Sequence, residues 1–199
     1  MDGDAKWQRW RREIFADSAG EPGFGALLEA ARREPKVVER MLRAGLAEGD
    51  SVAAQSFTAL AAAGLAPADA VSILRTALIR AHDEFRIRVA EALYALTRDP
   101  GWATPVAGVL AGAQSESVRL AAAIALGRFP PTTASVRAMV AGVQDQEYLV
   151  RYHAANALLR WAGDRRPVDN VPALLDMITG PAEAGWRAAA DELTSRLRG

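Results

Sequence analysis

The chain has 199 residues, half of them hydrophobic and 24% charged, a globular composition with room for one domain or one short repeat array. It has no cysteine, which excludes disulfides, cysteine-ligated zinc, iron–sulfur clusters and thiol catalysis and fits a cytoplasmic location. Formal net charge is zero and balanced in both halves, which disfavours nucleic acid as a partner, and no apolar run reaches the ~18 residues of a transmembrane segment.

The N-terminus, MDGDAKWQRWRRE, opens on acids and has no apolar h-region, so it does not read as a secretory signal. The spacing predicts a helix over about 4–17, with Trp7, Trp10 and Ile14 on one face and Lys6, Arg9 and Arg12 elsewhere. Such a basic amphipathic helix either lies on a membrane surface or folds back to seal an apolar array, and the seal is the preferred reading. GEPGFG at 20–25 lacks the order and the preceding strand of a phosphate loop and reads as a turn. A second helix is expected over about 23–34, and residues 1–34 form an atypical capping hairpin.

From residue 35 the chain becomes periodic. SESVRLAAAIALGRFP, from Ser115, overlays EYLVRYHAANALLRWA, from Glu147, when Arg119 is placed on Arg151. Ala59-Leu60, Ala92-Leu93, Ala125-Leu126 and Ala157-Leu158 then step by 33, 33 and 32. Pro35, Pro67, Pro100, Pro131 and Pro167 step by 32, 33, 31 and 36, and each precedes a helical pattern. Two residue types agree on one period, the mark of a solenoid. The units are 35–65, 67–97, 100–129, 131–163 and 167–198, each proline, helix A, turn, helix B. The last pair spans 167–179 and 181–198, which makes about twelve helices in six hairpins.

Helix B carries a core stripe in each unit: Phe85, Val89, Ala92, Leu93 and Leu96, then Val118, Ala122, Ala125, Leu126 and Phe129, then Val150, Ala154, Ala157, Leu158 and Trp161. Ala90, Ala123 and Ala155 let neighbouring helices approach. N-caps are expected at Asp50 or Ser51, Asp83, Ser115 or Ser117, and Asp145, and C-terminal caps at Gly64, Gly127 and Gly163. No stretch alternates with period two, so no strand is expected.

The Val-Arg-x-x-Ala-Ala-x-Ala-Leu motif on the second helix of a proline-started hairpin resembles HEAT repeats, most of all the short bacterial type of phycobilin-lyase-like proteins. The likeness is strong over about 83–163, extends over 35–198, and leaves the first 34 residues unmatched. It implies an all-α, right-handed α-solenoid that binds partners. It also implies a ladder in which an aspartate before helix B bonds an arginine on it. Asp145 and Arg151 match; Arg86 and Arg119 have no aspartate at that offset, and Ala53 lacks the arginine.

The resemblance places helix B on the concave surface. Positions two, five and nine after the motif arginine are Arg88, Glu91 and Ala95; Ala121, Ile124 and Arg128; and His153, Asn156 and Arg160. With Arg86, Arg119, Arg151, Tyr148 and Tyr152 they make a candidate groove for a protein with an acidic or mixed-charge surface. Solvated helix faces and internal ion pairs are the alternative account. His82 and His153, the two histidines, have no metal-binding pattern around them, and no cofactor or metal is expected.

Trp102, Trp161 and Trp186 lie near helix ends, with Asp164 close to Trp161. Aromatics beside a carboxylate keep open a HEAT-like DNA glycosylase, and the repeat type keeps open a phycobilin-lyase-like enzyme. No Gly-x-Ser-x-Gly elbow or paired-carboxylate arrangement appears. The leading expectation is a noncatalytic scaffold or adaptor, such as an immunity protein or a chaperone-like partner of an enzyme.

Overall fold

Alanine, leucine and arginine are the strongest helix formers, and they dominate this chain. The computed structural model describes residues 2–15 and 23–198, which hold twelve α-helices, two short 3-10 turns and no strand. The helices are α1 (Asp2–Ile14), α2 (Gly25–Arg33), α3 (Pro35–Ala47), α4 (Ser51–Ala62), α5 (Ala70–Arg80), α6 (Asp83–Thr97), α7 (Ala103–Gly112), α8 (Glu116–Leu126), α9 (Thr133–Gly142), α10 (Tyr148–Trp161), α11 (Pro172–Thr179) and α12 (Glu183–Arg196). The 3-10 turns Pro100–Trp102 and Val168–Asn170 lead into α7 and α11. From α3 onward the helices pair in sequence, the all-helical order of an α-solenoid. The expected turn at 20–25 and the end of the expected first helix fall mostly outside the described residues.

The chain divides into two units, Met1–Asp99 and Pro100–Gly199. In the first, α3 pairs with α4 and α5 with α6; α4 lies along α6, and α1 and α2 both pack on α3. Trp7 of α1 is 0% exposed, and its indole Nε1 donates to Asp50 Oδ2 at 2.9 Å. Asp50 is the N-cap of α4, where its Oδ1 accepts from the Val52 backbone N–H at 2.8 Å. Gly45 makes room for the ring: a Cβ there would lie 2.6 Å from Trp7 Cε2 and 2.7 Å from the Ala53 Cβ. Thus α1 seals the end of α3, with its basic residues Lys6, Arg9 and Arg12 outward.

In the second unit α7 pairs with α8, α9 with α10 and α11 with α12; α8, α10 and α12 stand in a row. Ala122, Ala123, Ala125, Leu126, Ala154, Ala155, Ala157 and Leu158 are all buried along this row. The small side chains bring backbones together. A Cβ on Gly142 of α9 would lie 3.2 Å from the Ala154 Cβ.

Several helix ends differ from expectation. Pro35 opens α3 and Pro172 opens α11, but Pro67, Pro131 and Pro167 stand ahead of their helices. Pro131 is followed by Thr132, which builds a capping box with Ser135. His82, not Asp83, caps α6, and Asp83 takes φ 47°. Glu147 caps α10, and Asp145 turns back two residues earlier, its Oδ1 accepting the Glu147 N–H at 2.9 Å. Gly64 and Gly163 take the left-handed conformation, with φ 68° and 84°, while Gly127 at φ −60° ends α8 without it.

Replacing Trp7 with alanine is expected to cost ~3–5 kcal/mol of unfolding free energy, as for other buried aromatics. Gly45→Ala, which drives a methyl into the same ring, is expected to cost ~1–3 kcal/mol. Both are read from urea titrations followed by far-UV circular dichroism. A Trp7→Ala chain as stable as the wild type would mean that α1 does not seal the array.

Candidate partner-binding surface

The site expected from the sequence is a strip on the second helix of each hairpin. In the second unit those helices are α8 and α10, and they run parallel with like ends together. At the N-terminal edge Glu116 and Glu147 are both exposed, and the charge of Glu116 pushes the Glu147 pKa up. At the C-terminal edge Arg160 Nη2 donates to the Gly127 carbonyl at 3.3 Å.

The motif arginines do not line the strip. Arg119 Nη1 donates to the Ala113 and Gln114 carbonyls at 3.3 and 2.9 Å, within its own A–B turn. Its Nε and Nη2 hold the Asp145 carboxylate of the next repeat at 2.7 and 3.1 Å. Arg151 occupies the same slot one repeat later and is only 5% exposed. Its Nη1 donates to the Asp145 and Gln146 carbonyls at 2.7 and 2.8 Å, and its Nε to the Ile178 carbonyl at 2.8 Å. The guanidinium lies 4.0 Å from the Trp186 ring centroid, and Trp186 Nε1 donates to the Gly180 carbonyl at 2.8 Å.

Two expectations are corrected. Asp145 pairs through its carboxylate with Arg119 of the preceding helix, not with Arg151. Arg151 is an internal staple, not a groove contact. The two guanidinium groups titrate oppositely for that reason: the bond to Asp145 raises the pKa of Arg119, and burial lowers that of Arg151.

Other members of the strip are partly committed. Tyr152 donates its hydroxyl to Asp169 at 2.6 Å, which pushes its pKa up. Asn156 donates to the Tyr152 carbonyl at 3.0 Å and accepts the Val168 N–H at 2.9 Å, tying the 3-10 turn to α10. His153 is half-buried with its ring edge-on to Tyr152, and burial, then the nearby Arg160 charge, lower its pKa. Arg128 and Arg160 are exposed. Tyr148 is exposed, 5.9 Å centroid to centroid from Tyr152 and 5.9 Å from the Arg151 guanidinium.

Arg86, Arg88 and Glu91 belong to the first unit. Arg88 donates to Glu91 at 3.0 Å and to Glu84 at 3.3 Å along its own helix, so this pair is an internal one. The Nε atoms of Arg86 and Arg88 are buried and make no hydrogen bond.

Sequence reasoning missed Leu149, which is 50% exposed. With His153, Asn156 and Arg160 it falls at i, i+4, i+7 and i+11 of α10, one continuous face. The signal was present: an apolar residue stands where the α8 overlay has Ser117.

Chemistry at the tryptophans is constrained. Asp164 is held by Arg166, at 2.8 and 3.0 Å, and by Arg196 at 3.5 Å, and the Arg166 bonds set its pKa to about 2. An aspartate paired to two arginines is poorly placed to act on a base near Trp161. Among the described residues no three His, Asp or Glu side chains gather as metal ligands, and no helix is long and apolar enough to cross a membrane.

A family model described as HEAT repeats matches residues 104–194, which run from α7 into α12. Residues 104–194 carry HEAT repeats. No curated protein and no solved structure matches it. The matched HEAT segment contains the parallel α8/α10 pair, both stapling arginines and Leu149.

Arg151→Ala orphans three carbonyls, each at about 1–3 kcal/mol, and is expected to destabilise the chain by roughly 3 kcal/mol or more in urea titrations. Glu147 carries a second prediction. Repulsion by Glu116 and their shared hydrogen bond raise its pKa, so the fold favours the protonated form and loses stability as pH rises through the raised value. Glu147→Gln is therefore expected to raise the melting temperature near pH 7 and to change it little near pH 3. Equal effects at both pH values would rule out the repulsion.

Proposed function

We infer that this HEAT-repeat chain is a noncatalytic, cytoplasmic adaptor that binds another protein through the exposed face of α8 and α10. HEAT repeats are commonly protein-interaction scaffolds. The observation that carries the reading is the pair Tyr148 and Leu149. Among the described residues three large hydrophobic side chains are exposed, and two of them are these neighbours at the start of α10. Single exposed apolar residues are ordinary on a protein surface, but an adjacent aromatic and aliphatic pair has the composition of an interface core.

The frame supports the same reading. Arg119 and Arg151 lock the turns that aim α8 and α10, so the face is presented without ordering cost at the moment of binding. Arg160, in contact with a backbone carbonyl only at Gly127, offers its remaining donors to a carboxylate on the partner. Immunity-protein and chaperone-like roles both need such a fixed surface.

The test uses the exposed residues alone, because charge reversal at Arg119 or Arg151 would break the fold. Tagged wild-type chain and a Leu149→Asp/Arg160→Glu variant are used to capture partners, with crosslinking and mass spectrometry. A stoichiometric protein crosslinked to α8 or α10, and lost from the variant at unchanged helical content, is the expected outcome. Equal capture by the two chains would sink the reading.

A further inference from the structure

We propose that the first unit binds a small amphipathic amine, an aromatic ring with a short ammonium arm, in the groove between α1 and α2. This goes beyond the adaptor reading and concerns a different surface.

The groove follows from how the two helices sit on α3. Both pack on α3. Phe15, just past α1, meets Phe24, just before α2, edge-on at 5.7 Å, and Trp10 meets Phe15 edge-on at 6.4 Å. This aromatic chain ties the helices together at one end. Beyond it the facing side chains leave a gap. On one side stand Trp10 and Ile14 of α1, on the other only Ala26 and Ala30 of α2, and Val37 and Val38 of α3 make the floor. The space is about 320 Å³, at the lower end of the range for small-molecule sites. At ~30 Å³ per water-sized group it holds about ten heavy atoms. Trp10, Ile14, Ala30 and Val37 are only half-buried, so an occupant would take apolar surface out of water.

Charge at the other end of the groove selects the class. α2 ends and α3 begins at Glu34, which serves both ends through its backbone. Its N–H donates to the Ala30 carbonyl, and its side chain makes no capping hydrogen bond. Among the described residues no cation pairs with the Glu34 carboxylate, which is exposed and lines the groove. Glu29 and Arg33 also line it and pair loosely with each other, 3.9 Å apart and both largely exposed. Two carboxylates thus stand against one guanidinium. An ammonium gains from Glu34 without breaking a bond, whereas a carboxylate would have to take Arg33 from Glu29 beside a second acid. Tryptophan is also the aromatic side chain that cations prefer.

Ala26 to Glu34 is eight residues, or about 12 Å of helix. That length takes a ring against Trp10 and Ile14 and a two-carbon arm reaching Glu34. The occupant is a free small molecule and not a peptide, because the space holds a single ring and its arm.

The probe is phenethylammonium, with 2-phenylethanol as its neutral counterpart and phenylacetate as its acidic one. Each is titrated into isotope-labelled chain, and chemical shifts of the backbone amides and the Trp10 indole read both affinity and place. The amine is expected to bind with a Kd on the order of 1 mM or tighter. It is expected to bind about fivefold or more tighter than the alcohol, with phenylacetate weakest. Shifts are expected at Trp10, Ala30 and Val37. Glu34→Gln is expected to bring the amine down to the alcohol and to leave the alcohol unchanged. Ala30→Leu fills the groove and is expected to abolish binding of both. Ala26→Leu fills it one turn earlier and decides the matter if melting temperatures show that the first filler does not fold. Equal binding of amine and alcohol, tighter binding of the acid, no binding of the amine, a preference that survives Glu34→Gln, or shifts confined to other helices would overturn the proposal.

Discussion

The second unit depends on what a buried guanidinium does at the turn between two helices. Every helix ends with carbonyls that have no partner inside it. In this unit the turns before α8 and α10 give their carbonyls to an arginine one and a half turns further on: Ala113 and Gln114 to Arg119, Asp145 and Gln146 to Arg151. Arginine carries five N–H donors in a planar fork, so one side chain satisfies its own turn and still reaches forward. Arg119 reaches the Asp145 carboxylate and Arg151 the Ile178 carbonyl, each in the following repeat. One residue thus closes a hairpin and sets its distance to the next, which is what a stack of units with nearest-neighbour contacts requires.

The same helix presents a second arginine that does none of this. Arg151 and Arg160 are nine residues apart on α10, which is two and a half turns, and so they point to opposite sides. Arg151 shares its side with Ala154, Ala155 and Leu158, all buried. Arg160 shares its side with Leu149 and His153. Structural and displayed arginines on one helix are therefore separated by phase alone. A long side chain with a charged tip hides that separation from composition, because arginine is common in both settings.

That explains what was legible. The two periods, of Ala-Leu pairs and of prolines, fixed the hairpins from α3 to α12, since burial repeats faithfully along a stack. The caps were less legible. The loop before α6 is Ala81 and His82, while the one before α10 runs from Val143 to Glu147, so the same offset lands on a cap in one repeat and inside a turn in another. The strip was half legible. Arg128, His153 and Arg160 follow from spacing, but Arg151 was grouped with them although its phase matches the core. The partner of Asp145 was not legible from one repeat, because it lies on the helix before. The seal by α1 was legible from its apolar face, but not the seat of Trp7, which depends on Gly45 and Asp50, too far along the chain for a local pattern to reveal.

The first hairpin, α3 with α4, shows why the staple is not needed everywhere. Ala53 stands where the later repeats have arginine, and the α3–α4 turn satisfies itself. Gly49, at φ 75°, lets the Asp50 N–H reach the Gly45 carbonyl at 2.9 Å and the Gly49 N–H reach the Leu46 carbonyl at 3.2 Å. A left-handed glycine thus does through the backbone what a guanidinium does later through a side chain. Ala53 then leaves a space beside Gly45 that an arginine would fill, and the Trp7 ring occupies it, its N–H on the Asp50 cap. The Asp50 carboxylate is not held by a helix-B arginine, as Asp145 is by Arg119. An indole N–H from α1 and the Arg11 guanidinium at 3.4 Å take that place. The α1 helix thus gives the Asp50 carboxylate the kind of N–H donors that Arg119 gives Asp145, from different residues.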